Sequence, residues 1–262
     1  MNYGEAQKKI KKIIQSMSGK YSRYNIFMDF INLSAYAISN SVDMKHYEER
    51  EDKYMQIIKK YTRDEADRFA EMLAILTMAY EWRMSDLIGE LYMTMEFSNA
   101  DSGQFFTPYD VSLMMSKMLG AEPNENGMYT LNEPSCGSGG AIVAYADTLK
   151  RNKINYQEKL RVVCNDLDYD VVKMCYIQLS LLGIDAVVYQ KNTLAPLDDP
   201  PGELWYTPMH FINLQRDQRK NNNDKTQKML NIIRKLESQE VKVESAPVEL
   251  DGQTTIFDFI QG

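Results

Sequence analysis

The feature that most constrains the fold is an alternation within residues 128–192. Three short β-rich segments, MYTLNE, LRVVCND and AVVYQKN, are separated by two helix-patterned stretches, AIVAYADTLKRN and YDVVKMCYIQLSLLG. Strand, helix, strand, helix, strand predicts a parallel sheet, because parallel neighbours need a connection long enough to carry a helix. Ligands of such sheets sit beyond the carboxyl ends of the strands. There the first strand runs into Gly137, Ser138, Gly139 and Gly140, where the backbone can bend sharply and a ligand can approach without meeting a Cβ.

The flanks differ in texture. Up to about Phe97 apolar residues recur three and four apart, as in IFMDFINLSAYAI and ADRFAEMLAILTMAYEW, with no proline and only two glycines before Gly89. This predicts an all-α domain over 1–97, its Met and aromatic stripes serving as core. An α/β domain follows over 98–213, opening with GQFFTPYDVSLMMSKMLG, a short helix stopped by Gly120. Residues 214–262 are expected to form a polar linker with one more helix and a tail.

Composition sets limits on partners. The net charge of −7 argues against coating nucleic acid through a bulk field, so any DNA contact needs a local basic patch or a partner subunit. No apolar run approaches the roughly 20 residues that span a bilayer, and the amphipathic start lacks a secretory h-region; the expectation is a cytoplasmic protein with no membrane contact. Cys136, Cys164 and Cys175 are an odd number without CxxC spacing, and only two histidines accompany them, so no metal site is expected from the sequence.

The glycine turn matches neither G-x-G-x-x-G nor G-x-x-x-x-G-K-[ST], which counts against a dinucleotide-dependent oxidoreductase and against nucleotide triphosphates. Asp166 and Asp168, at the end of the second strand, are placed to accept hydrogen bonds from ribose hydroxyls, and Asn192, after the third, to read an adenine edge. An adenosyl ligand without pyrophosphate fits this set, and S-adenosylmethionine is such a ligand. The plainer reading is a tight βα turn beside solvated acids.

These residues carry a resemblance. GQFFTP at 103–108, NEPSCGSGG at 132–140, the NDLD acids and KNTL resemble the adenine-N6 DNA methyltransferases, in particular the methylation subunits of type I restriction-modification systems, and SDLIGELYMTME at 85–96 is similar to a segment just upstream in that family. The resemblance covers about residues 85–195. It implies a Rossmann-like S-adenosylmethionine-dependent methyltransferase fold with a reduced parallel sheet behind the helical domain, in a bacterial, phage or mobile-element protein. It further implies that Phe106, Thr107 and Pro108 flank the cofactor, that Glu133 and the turn Gly137, Ser138, Gly139 cradle its methionine half, and that Asp166, with Leu167 beside it, binds the ribose.

The acceptor half departs from the pattern. The family ends a fourth strand in Asn or Asp, two prolines and an aromatic, which holds and stacks a flipped-out adenine. Here Asp199, Pro200 and Pro201 are followed by Gly202, with Trp205 and Tyr206 a few residues on. Two readings stand: Asp199 accepts hydrogen bonds from the amino group while Trp205 or Tyr206 stacks, within an abbreviated strand WYTPMHF, or DDPPG is a surface turn. Function divides likewise between a DNA adenine methyltransferase and a non-catalytic interaction protein that keeps the cofactor fold. In the tail, Gln253, Ile256 and Phe257 of GQTTIFDFI are similar to peptides that dock on the bacterial sliding clamp; the competing reading is a terminal strand folded back on the domain.

Overall fold

The computed structural model describes residues 2–95, 105–120, 122–195 and 202–243. The chain divides into two compact units, Met1–Leu214 and Gln215–Gly262. Asp199, Pro200, Pro201, Gln253, Ile256 and Phe257 lie outside the described residues.

The first unit begins with α1 (Tyr3–Met17), opened by a capping box in which the Glu5 amide donates to Asn2 Oδ1 at 2.9 Å and the Asn2 amide to Glu5 Oε2 at 3.0 Å. Then come α2 (Arg23–Asn40), α3 (Tyr47–Ile58), α4 (Arg63–Trp82) and α5 (Leu87–Thr94). Helix α1 packs on α4, and α2 packs on α3. The apolar residues of α2 are not confined to one stripe: the consecutive Ile26, Phe27 and Met28 are all buried, as expected for a helix enclosed by neighbours on several sides.

One of those neighbours belongs to the α/β part. The order is α6 (Tyr109–Leu119), β1 (Tyr129–Glu133), α7 (Gly140–Arg151), a one-turn α8 (Tyr156–Lys159), β2 (Leu160–Asp166), α9 (Tyr169–Leu181), β3 (Ala186–Gln190) and β4 (Leu204–Tyr206). Helix α9 packs against α2, so the helices of residues 2–95 and the α/β segment share one apolar core. The sheet order is β1-β2-β3-β4, with β1, β2 and β3 parallel and β4 antiparallel to β3. The antiparallel return follows from composition: Lys191–Glu203 contains no apolar helix-patterned stretch that could act as a crossover.

Along β2, Leu160, Val162 and Cys164 are buried while Val163 is 45% exposed. A parallel strand covered on both faces would bury every residue; this alternation marks a sheet whose core lies against one face. A final helix, α10, spans Pro208–Val243. Its start belongs to the first unit, where Asn213 Nδ2 donates to Asp185 Oδ2 at 3.0 Å; the second unit consists, among its described residues, of helix. No described helix is long and apolar enough to cross a membrane.

Candidate functional site

The tips of the three parallel strands are tied together. The Cys136 amide, just beyond β1, donates to the Asn165 carbonyl on β2 at 2.9 Å, and Asn165 Nδ2 donates to the Pro134 carbonyl at 3.1 Å. Thr193, beyond β3, donates its hydroxyl to the same Pro134 carbonyl. The Lys191 amide donates to the Asp166 carbonyl at 2.9 Å. Convergence of these loops is therefore built into the backbone.

Beside β1 and β2 the loops, α5's leading residues and α6 enclose a cavity of about 490 Å³. Gly137 bends the chain at φ +54°, and a Cβ there would come within 3.2 Å of the Phe106 ring. Only glycine lets the turn lie flat against that ring. Its amide donates to Asp166 Oδ2 at 2.9 Å, and Asp166 Oδ1 accepts from the Asp168 amide at 3.1 Å. Both carboxylate oxygens are thus oriented by the backbone, and each keeps a further lone pair. Asp168 turns the other way: its Oδ1 caps α9, accepting from the amides of Asp170 at 2.8 Å and Val171 at 3.1 Å. Glu133 is half-buried at the end of β1; burial pushes its carboxyl above the usual range, opposed by the Ser135 amide that donates to Oε1 at 3.2 Å.

Of the residues expected to hold a cofactor, Phe106, Thr107, Glu133, Gly137, Ser138 and Asp166 line this cavity. Five do not. Asp168 caps α9, Pro108 is the residue from which α6 starts, Gly139 at φ +97° starts α7 above Cys175, Leu167 is 65% exposed, and Asn192 Oδ1 accepts from the Leu194 amide in its own loop.

The most informative lining residue beyond that set is Asp86. Its carboxylate, inaccessible to solvent, accepts from Ser138 Oγ at 2.6 Å, Gln178 Nε2 at 2.7 Å and the Gly89 amide at 3.0 Å, and Gln178 Nε2 also donates to the Ser138 carbonyl at 2.6 Å. Burial pushes the Asp86 carboxyl up, opposed by these donors. One side chain therefore pins the glycine turn to both α5 and α9. Met115, Ser116 and Leu119 of α6 and Tyr145 of α7 complete an apolar side. The sequence signal for these was the helical spacing of α6, which marks a face without saying what it faces.

Neither Trp205 nor Tyr206 reaches the cavity. Strand β4 pairs with the outer side of β3, separated from β1 by two strands. Trp205 is fully buried, its ring 4.1 Å from the Arg50 guanidinium carbon and 5.0 Å from the Tyr176 ring centroid; Tyr206 stacks on His210 at 5.2 Å. The structure also accounts for Gly202. Its amide donates to the Gln190 carbonyl at 2.8 Å, and a Cβ there would lie 3.0 Å from that same oxygen and closer still to the Gln190 side chain. An aromatic at this position must displace the Gln190 side chain and press on its carbonyl.

A cavity at the carboxyl ends of parallel strands, with a glycine turn on one side and an oriented carboxylate on the other, defines an α/β protein with a cleft at the position where ligands of parallel sheets sit. The sequence pattern of the family described as N-6 DNA Methylase matches residues 73–235, and the chain belongs to that family. Its fold is accordingly the methyltransferase-like α/β fold with a reduced, mostly parallel sheet behind an all-α segment. Among solved structures, the chain is similar to a protein described as a class I S-adenosylmethionine-dependent methyltransferase from Listeria monocytogenes, at 11% identity and a TM-score of 0.42, covering 75% of this chain and 57% of that one. It is also similar to the methyltransferase subunit of a type I restriction-modification system from Streptococcus thermophilus, at 14% identity and a TM-score of 0.38, covering 77% and 60%. The chain thus spans less than two thirds of either structure. Comparison with curated proteins gives no match.

Proposed function

We propose that this chain binds S-adenosylmethionine in the cavity at the tips of β1 and β2 and works in DNA adenine-N6 methylation, with the acceptor ring supplied by a partner chain. The observation that carries the donor half is the cradle itself: Gly137 flat against Phe106, its amide fixed on Asp166, in a family whose chemistry is N-6 methylation of DNA. When bound, the cofactor supplies an electrophilic methyl group on a sulfonium. Asp166, its oxygens already aimed by two amides, would accept from ribose hydroxyls; Glu133 would hold the positive methionine half, where an ionised carboxylate is favourable; Phe106 would offer an apolar wall to the adenine. Preorganised donors and acceptors of this kind add alignment rather than proton transfer.

The acceptor reading rests on the position of the rings. Trp205 is in the core and Tyr206 on the outer strand, so neither of the two aromatics that follow the Asp-Pro-Pro-Gly stretch stands beside the cavity. Asp199 retains the role of amino-group acceptor only with a stacking ring from elsewhere. For DNA contact the local basic patch is α1, whose exposed Lys8, Lys9 and Lys12 adjoin Lys11 and Arg23 at a shallow cavity of about 250 Å³.

Calorimetry with S-adenosylhomocysteine tests the donor half: saturable binding that weakens at least tenfold in Asp166→Ala is expected, and no heat with the folded chain overturns it. For the DNA half, a Lys8→Ala, Lys9→Ala, Lys12→Ala triple variant should weaken duplex binding and flatten its salt dependence, by about 0.9 in log–log slope for each phosphate no longer neutralised. An unchanged slope removes α1 from the interface.

A further inference from the structure

Cys136, Cys164 and Cys175 come from three different elements, the turn after β1, the strand β2 and the helix α9, yet their sulfurs all lie within 4.8 Å of one another. All three are free thiols and all are buried, with Cys136 at 5% exposure and the other two at zero. They sit directly beneath the glycine turn, where a Cβ on Gly139 would touch Cys175 Sγ at 3.0 Å. Cys136 also lines the cavity, so one side of the cluster opens on it.

We propose that these three thiols form a binding site for a single soft divalent cation of the zinc or cadmium type. The spacing suits it: metal–sulfur bonds of about 2.3 Å place the sulfurs of a trigonal or tetrahedral site roughly 3.8–4.0 Å apart. The donor set suits it, since thiolates select soft d10 ions over magnesium or calcium. Three protein ligands leave a fourth position, which faces the cavity through Cys136 and is filled by water. On binding, each of the three S–H groups releases its proton to solvent as a sulfur–metal bond forms, and no electrons are exchanged. The site stands apart from the methyl-donor reading, because it needs no nucleoside in the cavity.

The test is a titration of the reduced, full-length chain with cadmium(II), without nucleoside, following the ultraviolet thiolate-to-cadmium charge-transfer band and the protons released. The expected result is saturation at one ion per chain with close to three protons released. Single Cys164→Ser and Cys175→Ser variants should each lose about a third of the band and bind more than about 100-fold more weakly, beyond the range for merely supporting residues. Zinc(II) should displace cadmium competitively. The wild-type chain alone can refute the proposal, whether or not the variants fold: no band at one equivalent in native protein, with the band emerging only in urea, identifies the thiols as packed core. A native band that persists unchanged in folded serine variants would place the ion elsewhere.

Discussion

Replacing Asp86 by alanine should unfasten the glycine turn. The carboxylate holds three donors in a dry environment: Ser138 Oγ, Gln178 Nε2 and the Gly89 amide. Gln178 retains the Ser138 carbonyl as a partner, but the Gly89 amide and the Ser138 hydroxyl lose theirs. Each buried donor left unmade costs about 1–3 kcal/mol, so the two together should destabilise by roughly 2–6 kcal/mol, a large share of the stability of an ordinary domain. The space cannot close around the loss, because the carboxylate fills the positions where side chains on Gly89 and Gly140 would stand. Urea unfolding followed by far-ultraviolet circular dichroism reads the change as a shift in midpoint at constant slope. The aspartate also carries a pH signature. Its folded pKa is raised, so the native state holds the proton more tightly than the unfolded chain; its contribution is full below the unfolded value and is lost as pH rises through the folded one. The difference in stability between wild type and Asp86→Asn should therefore move in favour of wild type as pH falls. A cost below about 1 kcal/mol for Asp86→Ala, with S-adenosylhomocysteine binding intact, would refute the idea that this residue pins the turn.

Three further outcomes follow from the same geometry. Because burial raises the Glu133 carboxyl, binding of S-adenosylhomocysteine should weaken as pH falls through that raised value and the charge is lost, and Glu133→Gln should be weaker throughout and flat over the same range; calorimetry across pH checks this. Trp205→Ala should cost about 3–5 kcal/mol in chemical denaturation, as for other buried aromatic truncations, while leaving ligand affinity of the folded fraction unchanged. Gly202→Tyr, which restores the missing aromatic on paper, should destabilise the β3–β4 pairing and yield no methylation of DNA by the isolated chain, measured with a labelled methyl donor.

The parts of this molecule that were legible in its sequence are those whose cause is local. The alternation of β-rich and helical segments places β1, β2 and β3 within a residue or two, and Gly120 and Gly183 stop helices at φ +70° and +67°, as their positions suggest. Of the glycine turn and the acid after β2, Gly137, Ser138 and Asp166 meet at one cavity. What was not legible depends on contacts between distant elements. Asp86 lies 52 residues before Ser138, and only the docking of α5 against α9 turns an ordinary helix cap into the anchor of the site. The cysteines have no metal-ligand spacing because their proximity comes from sheet register and helix packing. Trp205 looks, in sequence, like a ring available for stacking, yet the strand that carries it pairs on the far side of β3.

That last point links topology to chemistry. Methyl transfer to a base needs the donor and an aromatic acceptor platform on the same side of the sheet, within one water-free space. The cavity we propose for the donor is at the tips of β1 and β2, and β1 pairs among the described residues with β2 only, while the sheet grows in the other direction through β3 to β4. Because Lys191–Glu203 contains no helix-forming stretch, β4 pairs antiparallel with β3, and Trp205 is committed to the side facing α2 and α3, where Arg50 donates to the Leu204 carbonyl at 2.6 Å and covers the Trp205 ring, while Tyr206 stacks on His210. Moving Trp205 to the donor would mean breaking a fully buried core, at a cost no single ligand contact offsets. A division of labour between this chain and a partner that brings its own acceptor ring requires no such rearrangement.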